Sequence, residues 1–187
     1  MRRREVLLAA AAMAAGARAS ARNDALWSAL RAGGVVLLLR HAQTEPGLGD
    51  PPGFRVGDCS TQRNLSAEGR RQAERIGAAL AEQRIRIERV LSSQWCRCLD
   101  TARLAFPRSK VEPDPALNSF FDDRSSEPRQ TREVLAKISA LRAPANAAFV
   151  THHVNILALT GEAVGSGEAV LVRAAKGTAK VLGRLTL

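Results

Sequence analysis

The sequence predicts an α/β three-layer sandwich: a mainly parallel central sheet, helices on both faces and an antiparallel C-terminal hairpin at the edge. Three observations lead there. Val35-Val36-Leu37-Leu38-Leu39 and Ala147-Ala148-Phe149-Val150-Thr151 are continuous apolar runs, the pattern of strands buried on both faces. Segments with helical spacing of apolar residues alternate with the strand-like runs. Two apolar segments, Glu168 to Arg173 and Lys180 to Leu187, flank a turn at Lys176-Gly177 and read as a hairpin. The 187 residues suffice for one domain with its own core, so neither a disulfide framework nor a structural metal is needed for folding.

The N-terminus has its own character. Arg2, Arg3 and Arg4 precede an apolar run from Val6 to Ala15, followed by Ala17-Arg18-Ala19 and Ala19-Ser20-Ala21, two candidate cleavage patterns. Residues 1–21 are therefore expected to be a signal peptide, with paired arginines compatible with twin-arginine export, and residues 22–187 the folded domain. The protein is expected to be exported, periplasmic or secreted. The apolar run is much shorter than the roughly 20 residues that span a bilayer, so no stable membrane insertion is expected.

In the domain, Asn23 or Asp24 is placed to cap a short helix through Arg31, stopped by Gly33-Gly34. The first buried strand follows, and then a loop from Ala42 to Asn64 rich in Pro and Gly. Ser66 can cap a helix to about Arg84, with Ala73, Ile76 and Leu80 on one face. Val90 to Ser93 reads as a strand, Trp95 to Phe106 as a helix that Pro107 helps to end, and Lys110 to Glu112 as a brief strand. A second loop, Pro113 to Arg129, leads to a helix from Gln130 to Arg142. The strand Ala147 to Thr151 precedes a short helix from Asn155 to Thr160 that Gly161 stops.

Ligands of open α/β sheets bind beyond the carboxyl ends of the strands, and the informative residues cluster there. One strand ends in Arg40-His41, another leads through Ser92-Ser93 to Arg97 at a helix start, and a third ends in Thr151-His152-His153. Two arginines and two or three histidines thus meet on one rim, with no carboxylate directly beside them. The implied ligand is an anion, foremost phosphate, which guanidinium forks and helix N-termini match. Like charge should lower the pKa of a histidine between Arg40 and Arg97, leaving His41 neutral and nucleophilic, while a protonated His152 would be a second donor. Such a set can neutralise a transferring phosphoryl group without a metal.

The net charge of +10 can steer anionic substrates, whereas 4% aromatic content with no Tyr argues against base stacking and hence against nucleic acid. Three cysteines, Cys59, Cys96 and Cys98, permit one disulfide and a free thiol without deciding the pairing. Cys96-Arg97-Cys98 has neither redox nor zinc spacing, and the arginines would repel a divalent cation from the histidines, so no metal and no cofactor are expected.

These segments resemble the histidine phosphatase superfamily, which includes phosphoglycerate mutases and histidine acid phosphatases. Arg40-His41-Ala42-Gln43-Thr44 is similar to its Arg-His-x-x-Thr/Ser signature, and Ser93 to Ala102, around Arg97, to Ser-x-x-x-Arg-x-x-x-Thr-Ala. Leu65 to Ala73 resembles Leu-Thr/Ser-x-x-Gly-x-x-Gln-Ala, and Val150-Thr151-His152 the strand carrying a second catalytic histidine. The resemblance implies phosphorylation of His41, with His152 as its catalytic partner and Arg40, Arg97 and Thr44 around the phosphate. A carboxylic acid protonating the leaving oxygen would come from the second loop. Asp123 is preferred over Asp122, and a site without a dedicated acid, suited to good leaving groups, is the alternative. The expected activity is metal-independent hydrolysis of phosphomonoesters or phosphoramidates. The substrate is expected to be a small phosphorylated compound or a phosphorylated glycan, lipid headgroup or protein, and the rival reading is a noncatalytic anion-binding protein.

Overall fold

The computed structural model describes residues 21 and 23–187, so nearly all of the expected signal peptide lies outside the described residues. The elements are α1 (23–32), β1 (Val36–Arg40), α2 (Ala67–Glu82), β2 (Arg89–Ser92), α3 (Cys96–Ala105), β3 (Val111–Pro113), α4 (Glu127–Ala140), β4 (Ala147–Thr151), α5 (His153–Thr160), β5 (Glu168–Ala175) and β6 (Thr178–Thr186). Six strands form one sheet in the order β3-β2-β4-β1-β5-β6. β3, β2, β4 and β1 run parallel, and β5 and β6 add the antiparallel hairpin to one side.

Two-sided burial explains why β1 has no polar alternation. Leu37 and Leu39 pack with Leu26 and Leu30 of α1, Ile76 and Leu80 of α2, and Cys98 and Ala102 of α3. Val36 and Leu38 join Val134 and Ile138 of α4 and Ile156 of α5 on the opposite face. The three layers expected from the sequence are present. No helix among the described residues is long and apolar enough to cross a membrane.

The differences lie at element ends. Ala21 and Asn23 are already helical, so neither Asn23 nor Asp24 caps α1. α4 begins at Glu127 rather than Gln130 because Pro128 fits its first turn, where no intrahelical N–H bond is lost. Gln130 is instead buried, its amide nitrogen donating to the carbonyls of Pro115 at 3.0 Å and Asn118 at 2.8 Å. α5 begins at His153 rather than Asn155, and the hairpin strands extend to Ala175 and back to Thr178.

In-register parallel pairing puts the strand ends level. Arg40 lies opposite Thr151, and Ser92 opposite Val150. The chain therefore leaves β1, β2 and β4 at one rim, where the sequence has its histidines and arginines. α2 buttresses that rim. Ser66 accepts the Gly69 N–H at 3.0 Å, and this first turn lies so close to the loop after β1 that a Cβ at Gly69 would sit 1.8 Å from the Gln43 carbonyl oxygen. Gly69→Ala should therefore displace the segment following His41, lowering stability by about 1–3 kcal/mol in urea unfolding. Unchanged stability would mean that the contact yields without cost.

Candidate active site

The backbone around His41 is tied on three sides. The His41 N–H donates to the Thr151 carbonyl at 3.0 Å, which joins β1 to β4 one residue beyond the strand. The Ala42 N–H donates to Thr101 Oγ1 at 3.0 Å, and that hydroxyl donates to the Arg97 carbonyl at 2.6 Å, linking the segment to α3. Gln72 of α2 accepts from the Gln43 N–H at 3.0 Å and donates to the Ser166 carbonyl at 2.8 Å, while the Gly167 N–H reaches the His41 carbonyl at 3.1 Å.

The His41 ring is buried, with Nδ1 2.8 Å from the Ala42 carbonyl oxygen. A carbonyl only accepts, so Nδ1 carries the proton and the neutral ring has its lone pair on Nε2. Burial, and after it the Arg97 charge, lowers the pKa of His41 to about 3, against the pull of the Ala42 carbonyl. The ring is therefore neutral throughout the physiological range.

The His152 ring stands edge-on to His41, with centroids 5.4 Å apart, and its Nε2 lies 2.9 Å from Ser93 Oγ. Burial, and then coupling to the His41 ring and the charges of Arg97 and Arg40, pushes its pKa well below the usual histidine value. Burial first, and then the arginines that would attract an anion, thus work against the protonated form in which His152 would be a second donor.

Arg40 donates from Nη1 to the Val164 carbonyl at 2.7 Å, and Arg97 from Nη1 to Asp50 Oδ1, also at 2.7 Å. The Nε atoms of both arginines are buried without a hydrogen-bond partner. Asp50 corrects the expectation that no carboxylate stands beside the arginines. Its side chain is 4% exposed, pairs with Arg97, and accepts from the Arg63 N–H at 3.0 Å and the Trp95 indole N–H at 3.0 Å. Burial alone would raise its pKa, but these donors together hold the carboxyl below the usual carboxylate range.

Arg63 is a second residue the sequence did not single out. It lines the cavity and donates to Thr44 Oγ1 at 2.7 Å and to the carbonyls of Gly47 and Gly49, each at 2.8 Å. Thr44 thus holds Arg63 and is not itself among the lining residues. The signal in the sequence was Arg63 two residues before the Leu65-Ser66 helix start, which the loop's Pro and Gly content obscured.

Arg40, His41, Arg63, Arg97, His152 and His153 line a cavity of about 280 Å³. The expected acid, Asp123, is not brought into it. Its carboxylate accepts from the Ser125 N–H and Oγ, each at 2.9 Å, which caps a short helical turn and lowers its pKa. Asp122 lines the cavity instead. His153 forms part of the wall, 3.2 Å through Nδ1 from the Val164 carbonyl, and Asn155 donates to the Asn118 carbonyl at 2.9 Å.

Cys59 and Cys96 form a disulfide, tying the first long loop to the start of α3 beside Arg97. Cys98 is the free, buried thiol, and burial pushes its pKa up to about 12. Among the described residues no three His, Cys, Asp or Glu side chains are grouped to hold a metal ion.

Residues 36–121 match the profile of the histidine phosphatase superfamily (branch 1). Over that segment, a little under half of its length, the chain is similar to this superfamily. The matched segment includes Arg40, His41 and Arg97 and stops before His152, which the pairing of β4 with β1 brings to the site. Solved structures share the fold. The protein histidine phosphatase SixA complexed with tungstate is 17% identical, with a TM-score of 0.58 over 81% of this chain and 96% of that one. The mycobacterial glucosyl-3-phosphoglycerate phosphatase in complex with VO3 is 17% identical, with a TM-score of 0.56 over 79% and 95%. The Shigella flexneri alpha-ribazole phosphatase is 15% identical, with a TM-score of 0.55 over 79% and 94%. No curated protein sequence matches the chain.

Removing one partner of a buried ion pair leaves the other charge uncompensated. Asp50→Ala should therefore destabilise the protein by about 3 kcal/mol, read from chemical denaturation. A change close to zero would show that Arg97 finds equivalent solvation without the carboxylate.

Proposed function

We propose that this chain is an exported phosphatase that hydrolyses phosphomonoesters or phosphoramidates through a phosphohistidine at His41, without a metal ion. The observation that carries this reading is the neutral His41, with a free Nε2, buried among arginines whose Nε atoms lack partners. Oxygens of a phosphate at this rim would satisfy those donors and offset the positive charge.

In the first half-reaction Arg40 and Arg97, with Arg63 behind them, hold the phosphoryl oxygens, and the Nε2 lone pair forms a bond to phosphorus as the ester P–O bond breaks. The Nδ1–H bond to Ala42 orients the ring and favours the positive charge that develops on it. His152 donates to the phosphoryl group, and the dianion's arrival favours protonation of that ring. Asp122, on the cavity wall, is the carboxyl placed to give a proton to the leaving oxygen. In the second half-reaction water attacks phosphorus and gives a proton to the Asp122 carboxylate, the N–P bond breaks with its electron pair returning to Nε2, and phosphate leaves with His41 neutral and Asp122 protonated again.

Guanidinium charge does the work that a metal would otherwise do at the phosphoryl oxygens. Export is inferred from the N-terminal arginines and apolar run, and a disulfide suits an oxidising compartment. The neighbours of this fold named as phosphatases support phosphoryl chemistry without specifying a substrate.

The test is hydrolysis of p-nitrophenyl phosphate by the protein with EDTA present, comparing wild type with His41→Ala. Turnover that survives EDTA and drops to background in the variant is the expected result. Turnover retained by the variant would remove His41 as nucleophile, and phosphate binding without any turnover would make the chain an anion-binding protein.

A further inference from the structure

Resting on the phosphatase reading, a feature of the cavity mouth goes further. The floor is cationic, but Leu48, Phe121 and Val154 stand among the lining residues with it. Leu48 is 87% exposed and Phe121 53%, two of the four large hydrophobic side chains that are exposed among the described residues. A third, Leu157 at 40%, lies one helical turn beyond Val154 on α5.

Neither Leu48 nor Phe121 is a loose surface residue. Arg63 grips the carbonyls of Gly47 and Gly49 on either side of Leu48, presenting its side chain at the mouth. Phe121 follows the fully buried Phe120, and its N–H donates to Ser119 Oγ at 3.2 Å. Both apolar groups are therefore held at the opening by anchored backbone from two different loops. A substituent that leaves the arginine floor between these two loops meets both side chains. A polyol would meet these surfaces with Ser119 and Asp122 as its polar partners on the same loop. An aryl or alkyl substituent would remove apolar area from water on both sides.

We propose that the substrate is a phosphate monoester of an apolar alcohol, small enough to bind as a single molecule, whose aryl or alkyl body lies between Leu48 and Phe121 while its phosphate occupies the arginine floor. Leu48 and Phe121 are then specificity-determining residues.

The test separates this proposal from the catalytic one by measuring binding. Dissociation constants are measured by calorimetry for ethyl-, butyl-, hexyl- and octylphosphonate, non-hydrolysable and below their aggregation concentrations. Wild type is compared with the Leu48→Ser, Phe121→Ser double variant, in which both replaced side chains are exposed. Affinity should tighten with chain length, by up to about fourfold for each methylene fully buried. The octyl-to-ethyl affinity ratio should fall by about tenfold or more in the double variant. A flat series in wild type, or a rising series unchanged in the double variant, overturns the proposal. Hydrolysis of the matching alkyl phosphates is scored separately, so a rising binding series without turnover would keep the apolar mouth and remove the phosphatase reading.

Discussion

Parallel strands paired in register end together, and the candidate site depends on that constraint. With Arg40 opposite Thr151, the next residue of each strand is a histidine, and the two rings meet with centroids 5.4 Å apart. Ser92 opposite Val150 brings the start of α3, and with it Arg97, to the same rim. Residues more than a hundred positions apart become neighbours because backbone hydrogen bonds permit no slip between strands whose faces are both buried.

That convergence concentrates cations, and the surrounding structure makes the concentration tolerable. Arg97 and Asp50 are buried together, and the Trp95 and Arg63 N–H groups complete the carboxylate's bonding. Arg40 and Arg63 turn toward carbonyl oxygens. Two buried guanidinium nitrogens still lack partners, which is the residual demand an anion would meet. Burial, and with it the same field, lowers the pKa of both candidate-site histidines. The disulfide between Cys59 and Cys96 closes the loop carrying Asp50 and Arg63 onto α3, so carboxylate, arginine and helix are held as one unit.

The apolar runs of β1 and β4, the Ser66 cap and the Gly161 stop were legible in the sequence because each is a local signal with a local cause. The rim itself was legible because strand ends fix where the next residue lies. Loops carried no such signal. Pro and Gly between Ala42 and Asn64 announce a turn-rich path but not which side chain turns inward, so Asp50 and Arg63 went unnoticed. In the second loop, Asp122 and Asp123 are adjacent and chemically identical. A single capping turn sends Asp123 to Ser125 and leaves Asp122 at the cavity. Thr101 and Gln72 belong to recognisable motifs, yet their hydrogen bonds to the backbone around His41 depend on helix packing that no periodicity reveals.

The central claim is that the His41 ring, fixed by its Nδ1–H bond to Ala42, attacks through Nε2. The most direct measurement is to quench the protein in alkali during turnover, isolate the peptide containing His41, and identify the phosphohistidine isomer by phosphorus NMR and mass spectrometry. Phosphate on Nε2 of His41 is the predicted result. Phosphate on Nδ1, on His152 or on a hydroxyl or thiol side chain, or turnover with no phosphorylated protein at all, would contradict it.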